Sequence, residues 1–164
     1  MHPLANNVGS FLFGRTALKP RSVGAANGSS GSELDGLTVD RLDSPNGETD
    51  PPFSRSAALF IFGTVTLTSG QTLAIAANVQ TGDASNASDM ADHGDALATT
   101  TITAATALTD HPFCVKLPVD LTGAKRYVRS QQTFTLGLSG TDTAAVAAVF
   151  AMGGLEHNPP ASGF

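Results

Sequence analysis

The hydrophobic pattern becomes regular at Ser56 and predicts a series of short β-strands. In the run 57–67, aliphatic residues occupy one parity while Phe60 and Phe62 occupy the other, which predicts a strand that is apolar on both faces over part of its length. In the next run, 72–79, apolar residues alternate with Thr, Ala and Asn, as in a half-buried strand. The same criteria predict further strands in the runs 99–106, 113–117 and 128–138.

The last apolar run, 144–152, is compatible with two structures. Its alanines, together with Asp142 or Thr143 as a cap, would allow a helix, whereas its β-branched and aromatic residues and the closing Gly153–Gly154 favour a buried strand. We predict a strand. The chain then has about six or seven short strands separated by turns, which predicts an all-β fold, an antiparallel β-sandwich of jelly-roll type over residues 56–154.

The first third of the chain has a different composition. Residues 1–55 are rich in Gly, Ser, Asn and Pro, and the run 24–32 is typical of a loop or linker. We therefore predict a long extended N-terminal arm over 1–55, and a short C-terminal tail over 155–164. Apolar residues interrupt the arm, and we expect them to dock on neighbouring subunits: Phe11, Phe13, Leu37 and Val39.

Composition narrows the function classes. Charged residues make up 14% of the chain, against roughly 25% in an average domain, and the net charge is -5. A low-charge acidic chain does not fit a nucleic-acid partner, which needs clustered Lys and Arg. No apolar run approaches the ~20 residues of a membrane span, and the first residues do not resemble a secretion signal, so we expect no membrane partner. One cysteine excludes an intrachain disulfide.

Candidate chemistry is sparse. Cys114 follows His111 by three residues, but no second metal-binding pair completes a zinc motif. The loop 81–95 contains four carboxylates without the spacing of a calcium-binding loop, so a solvated loop is our interpretation and a weak divalent-cation site is the alternative: Asp83, Asp89, Asp92 and Asp95. No nucleophile, acid and base cluster is evident. We predict no catalytic residues, no metal site and no cofactor.

The positive charges are distributed unevenly. One group precedes the predicted sandwich and another surrounds the Thr122–Gly123 turn. Solvated faces are one interpretation, and contact with an acidic partner surface is the other, because complementary charges give register and specificity. The candidate contacts among these residues are Arg15, Lys19, Arg21, Arg41, Lys125, Arg126 and Arg129.

Several stretches resemble a known family. Residues 7–16, 38–41 and above all 119–129, followed by 140–144 and 153–154, are similar to head decoration or capsid cement proteins of tailed bacteriophages, which are encoded beside the major capsid protein. The resemblance implies a jelly-roll-like sandwich on the outer capsid surface of the virion. It also implies synthesis in the host cytoplasm, homotrimers at three-fold positions, and no catalysis.

These observations predict a non-enzymatic structural protein that stabilises a phage capsid by binding the major capsid protein and copies of itself. Two alternatives remain open. One is another virion role, as a tail, spike or head-completion protein. The other is a carbohydrate-binding β-sandwich, which would need exposed aromatic rings, and the chain has no Trp and one Tyr, Tyr127.

Overall fold

The computed structural model describes residues 13–25, 30–42, 54–94, 97–137 and 140–155. The described secondary structure consists of β-strands, which confirms the all-β prediction. The strands are β1 (Phe13–Gly24), β2 (Glu33–Asp35), β3 (Val39–Asp40), β4 (Ser54–Leu67), β5 (Thr72–Gly82), β6 (Ala91–Asp92), β7 (Leu97–Thr103), β8 (Leu108–Asp120), β9 (Tyr127–Leu136) and β10 (Thr143–Leu155). The described ranges hold no helix that is long and apolar enough to cross a bilayer.

The first sheet has four antiparallel strands in the order β1-β10-β4-β8. The strand predicted at 144–152 is confirmed, and β10 lies in the interior of this sheet between β1 and β4. Its register with β4 continues from Thr143 opposite Thr66 to Leu155 opposite Ser54. Because opposed residues in an antiparallel pair point to the same side, this register defines which side chains share each face.

The second sheet is built around β5 and β9. The short strands β2 and β3 both pair with the outer edge of β9, and β6 and β7 both pair with the outer edge of β5. Each pair of short strands therefore occupies a single strand position. The sandwich has eight strand positions in total, four in each sheet.

The order of pairing has a nested pattern. The first strand position pairs with the last (β1 with β10), the second with the seventh (β2 and β3 with β9), the third with the sixth (β4 with β8), and the fourth with the fifth (β5 with β6 and β7). A long antiparallel hairpin rolled into two sheets has this arrangement, which is that of a jelly roll. The prediction of a β-sandwich is thereby confirmed.

The core lies between the inner faces of the two sheets. Phe150 from the first sheet and Phe134 from the second are both fully buried, at 0% exposure, and aliphatic residues surround them. Alternate residues of β4, β5, β9 and β10 supply most of this core, as expected for two packed sheets with one inward face each.

The predicted boundary between arm and sandwich needs correction. The described part of residues 1–55 is not an arm outside the fold, because β1, β2 and β3 are sheet strands and Ala17, Val23 and Leu34 are buried in the core. The pattern was hard to detect because two register shifts, one between Thr16 and Leu18 and another between Leu18 and Arg21, interrupt the alternation in β1. The arm residues 1–12, 26–29 and 43–53 and the predicted tail from 156 onward lie outside the described residues.

Two smaller differences concern loops. The loop predicted at 81–95 contains the two-residue strand β6, which pairs with Gln80 and Thr81. The Thr-rich strand predicted at 99–106 ends at Thr103, and the next residue, Ala104, is buried in the turn that follows.

Candidate partner-binding surfaces

A groove of about 320 Å³ lies at one edge of the sandwich, where β1 approaches the loop that follows β2. We call it the groove, and the residues that line it are Leu18, Lys19, Pro20, Arg21, Asp35 and Leu37. Three of them, Lys19, Arg21 and Leu37, are among the contacts predicted from the sequence. The fold brings these three together although they come from separate elements.

The loop at the groove connects the two sheets through backbone hydrogen bonds. The Gly36 amide donates to the Ser130 carbonyl in β9 at 2.7 Å, and the Leu37 amide donates to the Ala17 carbonyl in β1 at 2.7 Å. A Cβ atom at position 36 would collide with both of these carbonyl oxygens, so only glycine permits the approach. The side chain of Leu37 is left 37% exposed at the mouth of the groove.

The strand that forms the other wall is an irregular edge strand. Both register shifts of β1 fall at the groove. Pro20, which has no amide hydrogen, lines the groove within the second shift, between Leu18 and Arg21. Bulges and proline on an edge strand hinder pairing with a further strand. We therefore expect side chains, rather than the β1 backbone, to make contacts at this edge.

The charges of the groove are not balanced. Lys19 and Arg21 are exposed, and neither forms an ion pair within the described ranges. Asp35 is already engaged, because the Arg129 guanidinium contacts its carboxylate at 3.0 Å and the side-chain amide of Gln131 donates to it at 2.9 Å. The groove therefore offers two cations that form no ion pair with any other described residue, beside an exposed leucine.

The basic residues that follow the Thr122–Gly123 turn are paired within the molecule. Lys125 contacts Asp83 at 2.9 Å, and Arg126 contacts Asp40 at 2.8 Å. The third, Arg129, contacts Asp35 and also donates to the Gln80 side chain at 2.8 Å. Each positive charge faces a carboxylate from a different element, so the three pairs tie β9 and its preceding turn to β2, β3 and the loop after β5.

The Arg126–Asp40 pair alters the titration of both groups. Partial burial raises the pKa of Asp40, but hydrogen bonds from the Arg126 guanidinium and the Leu42 amide outweigh it, and the pKa lies below its ordinary value of 3.8. The same hydrogen bond raises the pKa of Arg126. The Arg126 guanidinium also lies over the Tyr127 ring, 5.1 Å from its centroid.

Arg41 and Val39 need correction as predicted partner contacts. They are only 4% and 5% exposed, so neither presents a side chain at the surface. The Arg41 guanidinium instead donates to backbone carbonyls: those of Lys125 at 2.9 Å and Leu121 at 3.2 Å, and also those of Ser54 and Ala124. Arg41 thus joins the end of β3, the start of β4 and the turn before β9, which is a structural role.

The remaining predicted contacts lie at the start of β1. Phe13 is half-buried against the core, and the Arg15 guanidinium lies over its ring, 5.3 Å from the centroid. Phe11 lies outside the described residues. Neither Phe13 nor Arg15 lines the groove.

The acidic loop forms a local turn. The Asp89 carboxylate accepts hydrogen bonds from the backbone amides of Asp83 and Ala84 at 2.8 and 3.0 Å, and these bonds lower its pKa. Among the described residues, no group of three or more His, Cys, Asp or Glu side chains could hold a metal ion. Asp95 lies outside the described residues.

A second surface was not among the predicted sites. The outward side chains at the centre of the first sheet are apolar, and we call them the apolar face: Phe60, Phe62, Ala145, Ala147, Val149 and Ala151. Phe62 is 40% exposed. The occurrence of Phe60 and Phe62 on the parity opposite to the core residues of β4 was the sequence signal for this face. The outward positions of β9 in the other sheet, by contrast, are polar, namely Arg129, Gln131, Thr133 and Thr135.

Comparison with known proteins gives only distant structural similarity. No family model matches the sequence, and no curated protein sequence matches it. The fold is similar to a structure described as the infectious bursal disease virus VP2 subviral particle, with 13% identity and a TM-score of 0.43, over 91% of this chain and 34% of that one. For the Gt strain of the same virus the identity is 15% and the TM-score 0.42, over 91% and 33% of the chains. This chain thus spans about a third of the length of those chains. At this identity and TM-score, the similarity says nothing about what the protein binds.

Proposed function

We propose that the protein is a non-enzymatic virion structural protein that decorates a phage capsid and stabilises it by binding the major capsid protein from outside. The observation that carries this proposal is the groove between β1 and the loop after β2. There Lys19 and Arg21, which have no ion pair within the described ranges, flank the exposed Leu37. The resemblance of residues 119–129 to capsid decoration proteins supports it.

The groove fits an extended acidic segment of a capsid subunit. A carboxylate on that segment would pair with Lys19 or Arg21, and an apolar side chain would cover Leu37. Pairs at a solvent-exposed rim contribute only about 0.2–1 kcal/mol each, so they set the register and leave a single contact weak. Copies joined in an oligomer would contact a shell at several sites at once, and this avidity would turn weak contacts into stable decoration.

Shell binding tests the proposal. Undecorated shells assembled from the major capsid protein that the resemblance implies is encoded beside this one are mixed with a dilution series of the protein, and occupancy is measured after sedimentation. We expect the double variant Lys19→Glu/Arg21→Glu to need at least tenfold more protein for half occupancy, because tenfold corresponds to about 1.4 kcal/mol and both attractions become repulsions.

A matched control separates the groove from general electrostatics. Lys116 lies on β8, at the opposite edge of the same sheet, and its exposed side chain belongs to neither the groove nor an ion pair of the described residues. We expect Lys116→Glu to bind shells as the unaltered protein does. Equal occupancy for the groove variant and the unaltered protein would exclude the groove as the binding site. Failure of the unaltered protein to bind any shell would refute the proposed function.

Self-association is part of the same proposal. The resemblance implies a homotrimer on the capsid, at least in the bound state, and identical chains generally assemble with closed symmetry. A trimer needs two different surfaces that meet in a ring. The apolar face, in contrast, is a single surface, and a single surface that binds itself joins two copies rather than three.

A further inference from the structure

The apolar face has the composition of a protein interface rather than of a solvated surface. Its two central strands, β4 and β10, carry Phe, Ala and Val on their outward positions. On β8 the outward residues beside them include Pro112, Cys114 and Pro118, with two charges at the rim, Lys116 and Asp120. Contiguous exposed apolar patches of more than a few hundred Å² mark interaction sites.

The register places large and small side chains in adjacent columns. Phe62 on β4 is directly opposite Ala147 on β10, and Phe60 is directly opposite Val149. The phenylalanine column therefore stands beside a column of small residues, with the ~4.8 Å spacing of paired strands between them. One column projects and the other is recessed, so the face is complementary to itself.

We propose that the apolar face binds the apolar face of a second copy of this chain, with a two-fold axis that runs parallel to the strands between β4 and β10. Rotation about this axis places the β4 column of one copy over the β10 column of the other. Phe62 then contacts Ala147 of the second copy, and each contact occurs twice. Two sheets packed in this way lie ~10 Å apart, with the usual angle between twisted sheets.

The charges are compatible with this arrangement. The axis brings the β8 edge of one copy over the β1 edge of the other, so Lys116 faces the row of Thr16 and not its own equivalent. A partner with a charged surface would instead leave its charges unpaired against alanine and phenylalanine.

The area is sufficient for a specific but reversible pair. Four strands at ~4.8 Å spacing and nine residues of β10 at ~3.4 Å each define a face of about 600 Å² on each copy. A pair buries about twice this area, which is close to the ~1,000 Å² that separates specific interfaces from incidental contacts. We expect association in the micromolar range, independent of shell binding through the groove.

Sedimentation of the intact protein tests the pairing. From low to high micromolar concentration, the mass should rise from 16.7 kDa toward twice that value. Phe62→Lys should raise the dissociation constant about 100-fold, since each of two equivalent sites loses at least tenfold. The control Thr135→Lys adds the same charge to an exposed position of β9, a central strand of the other sheet, and should leave the mass unchanged.

The single cysteine supplies a second readout. Cys114 is exposed and lies directly opposite Phe62 on the apolar face. Its rate of alkylation should fall several-fold as protein concentration rises, and this protection should persist in Thr135→Lys and disappear in Phe62→Lys. Should Phe62→Lys not fold, Phe62→Thr removes the projecting ring with a residue suited to a strand, and the same loss of mass and protection is expected.

Three results would overturn the pairing: a constant monomer mass with constant Cys114 reactivity, a trimer mass that Phe62→Lys does not change, or loss of shell binding in Phe62→Lys without any change in mass. The last result would assign the apolar face to the capsid subunit and leave the proposed function intact. Conversely, pairing in a protein that binds no shell would support the interface and refute the decoration function.

Discussion

Arg41 offers the sharpest test of how the sandwich is held together. Its guanidinium is buried and donates to the carbonyls of Ser54, Leu121, Ala124 and Lys125. Arg41→Met keeps the length of the side chain and removes every donor, so these acceptors lose their partner. A buried group left without a hydrogen bond costs about 1–3 kcal/mol, and some of the acceptors will regain water at the turn.

We therefore expect Arg41→Met to lower the free energy of unfolding by about 3 kcal/mol. For a chain of 164 residues, 1 kcal/mol corresponds to about 2–4 °C in Tm, so the expected loss is roughly 6–12 °C. Arg41→Lys retains the charge but not the planar fork of donors, and its Tm should lie between that of the unaltered protein and that of Arg41→Met. The measurement is thermal unfolding followed by circular dichroism, at one low protein concentration so that self-association does not contribute.

Arg21→Met is the matched control, because the same substitution is then made at an exposed arginine with no ion pair in the described ranges, and its Tm should change by less than about 2 °C. The opposite outcome for Arg41 has a known physical basis. Replacement of a buried charge by an apolar side chain can stabilise a protein when desolvation costs more than the lost hydrogen bonds return. A Tm of Arg41→Met equal to or above that of the unaltered protein would refute the structural role assigned to Arg41.

Three further predictions concern other parts of the fold. Because the pKa of Asp40 is lowered in the folded protein, its pair with Arg126 contributes stability above the ordinary carboxyl value of 3.8, and this contribution is lost as pH falls through the folded pKa. The Tm difference between the unaltered protein and Asp40→Asn should therefore vanish at the acid end of a pH series. A difference that stays constant with pH would contradict this prediction. A Cβ atom on Gly63 would collide with the Ala145 carbonyl, so Gly63→Ala should lower the free energy of unfolding by about 1–3 kcal/mol in urea titrations, whereas Gly140→Ala, with open space around it, should match the unaltered protein. Addition of EDTA should shift the Tm by less than about 1 °C, since the Asp83–Asp89 turn is held by backbone amides; a shift of several degrees would reveal a divalent cation.

The strands that the sequence predicted well are those with unbroken alternation. In β5 and β9 every second residue enters the core, and no bulge interrupts their mutual register. In β1, Ala17 and Leu18 are adjacent and both buried, because a bulge intervenes, so a period of two cannot be detected. Composition suggested a linker there, and only the pairing with β10, more than a hundred residues later in the chain, makes it a strand.

The partner-binding surfaces were predictable only in part. Lys19, Arg21 and Leu37 were predicted as separate partner contacts, but their convergence on one groove depends on the Gly36 loop that joins the sheets. The role of the basic residues after the Thr122–Gly123 turn could not be inferred, because each pairs with a carboxylate far away in sequence. Clustering of charge along the chain therefore did not mean clustering of free charge on the surface.

The position of β10 has a consequence for how the chain folds. This strand is the last of those described to leave the ribosome, yet it lies inside the first sheet, paired with β1 on one side and β4 on the other. Until it is synthesised, those two strands have no partner along their facing edges, and Gly24 of β1 cannot pair with Thr143. Pairing across such a long stretch of chain is slow, because the entropy of loop closure is lost before the strand contacts contribute favourable free energy. The first sheet is therefore completed only after β10 has been synthesised, and we expect chains truncated before β10 to leave β1 and β4 unpaired along these edges and accessible to proteases.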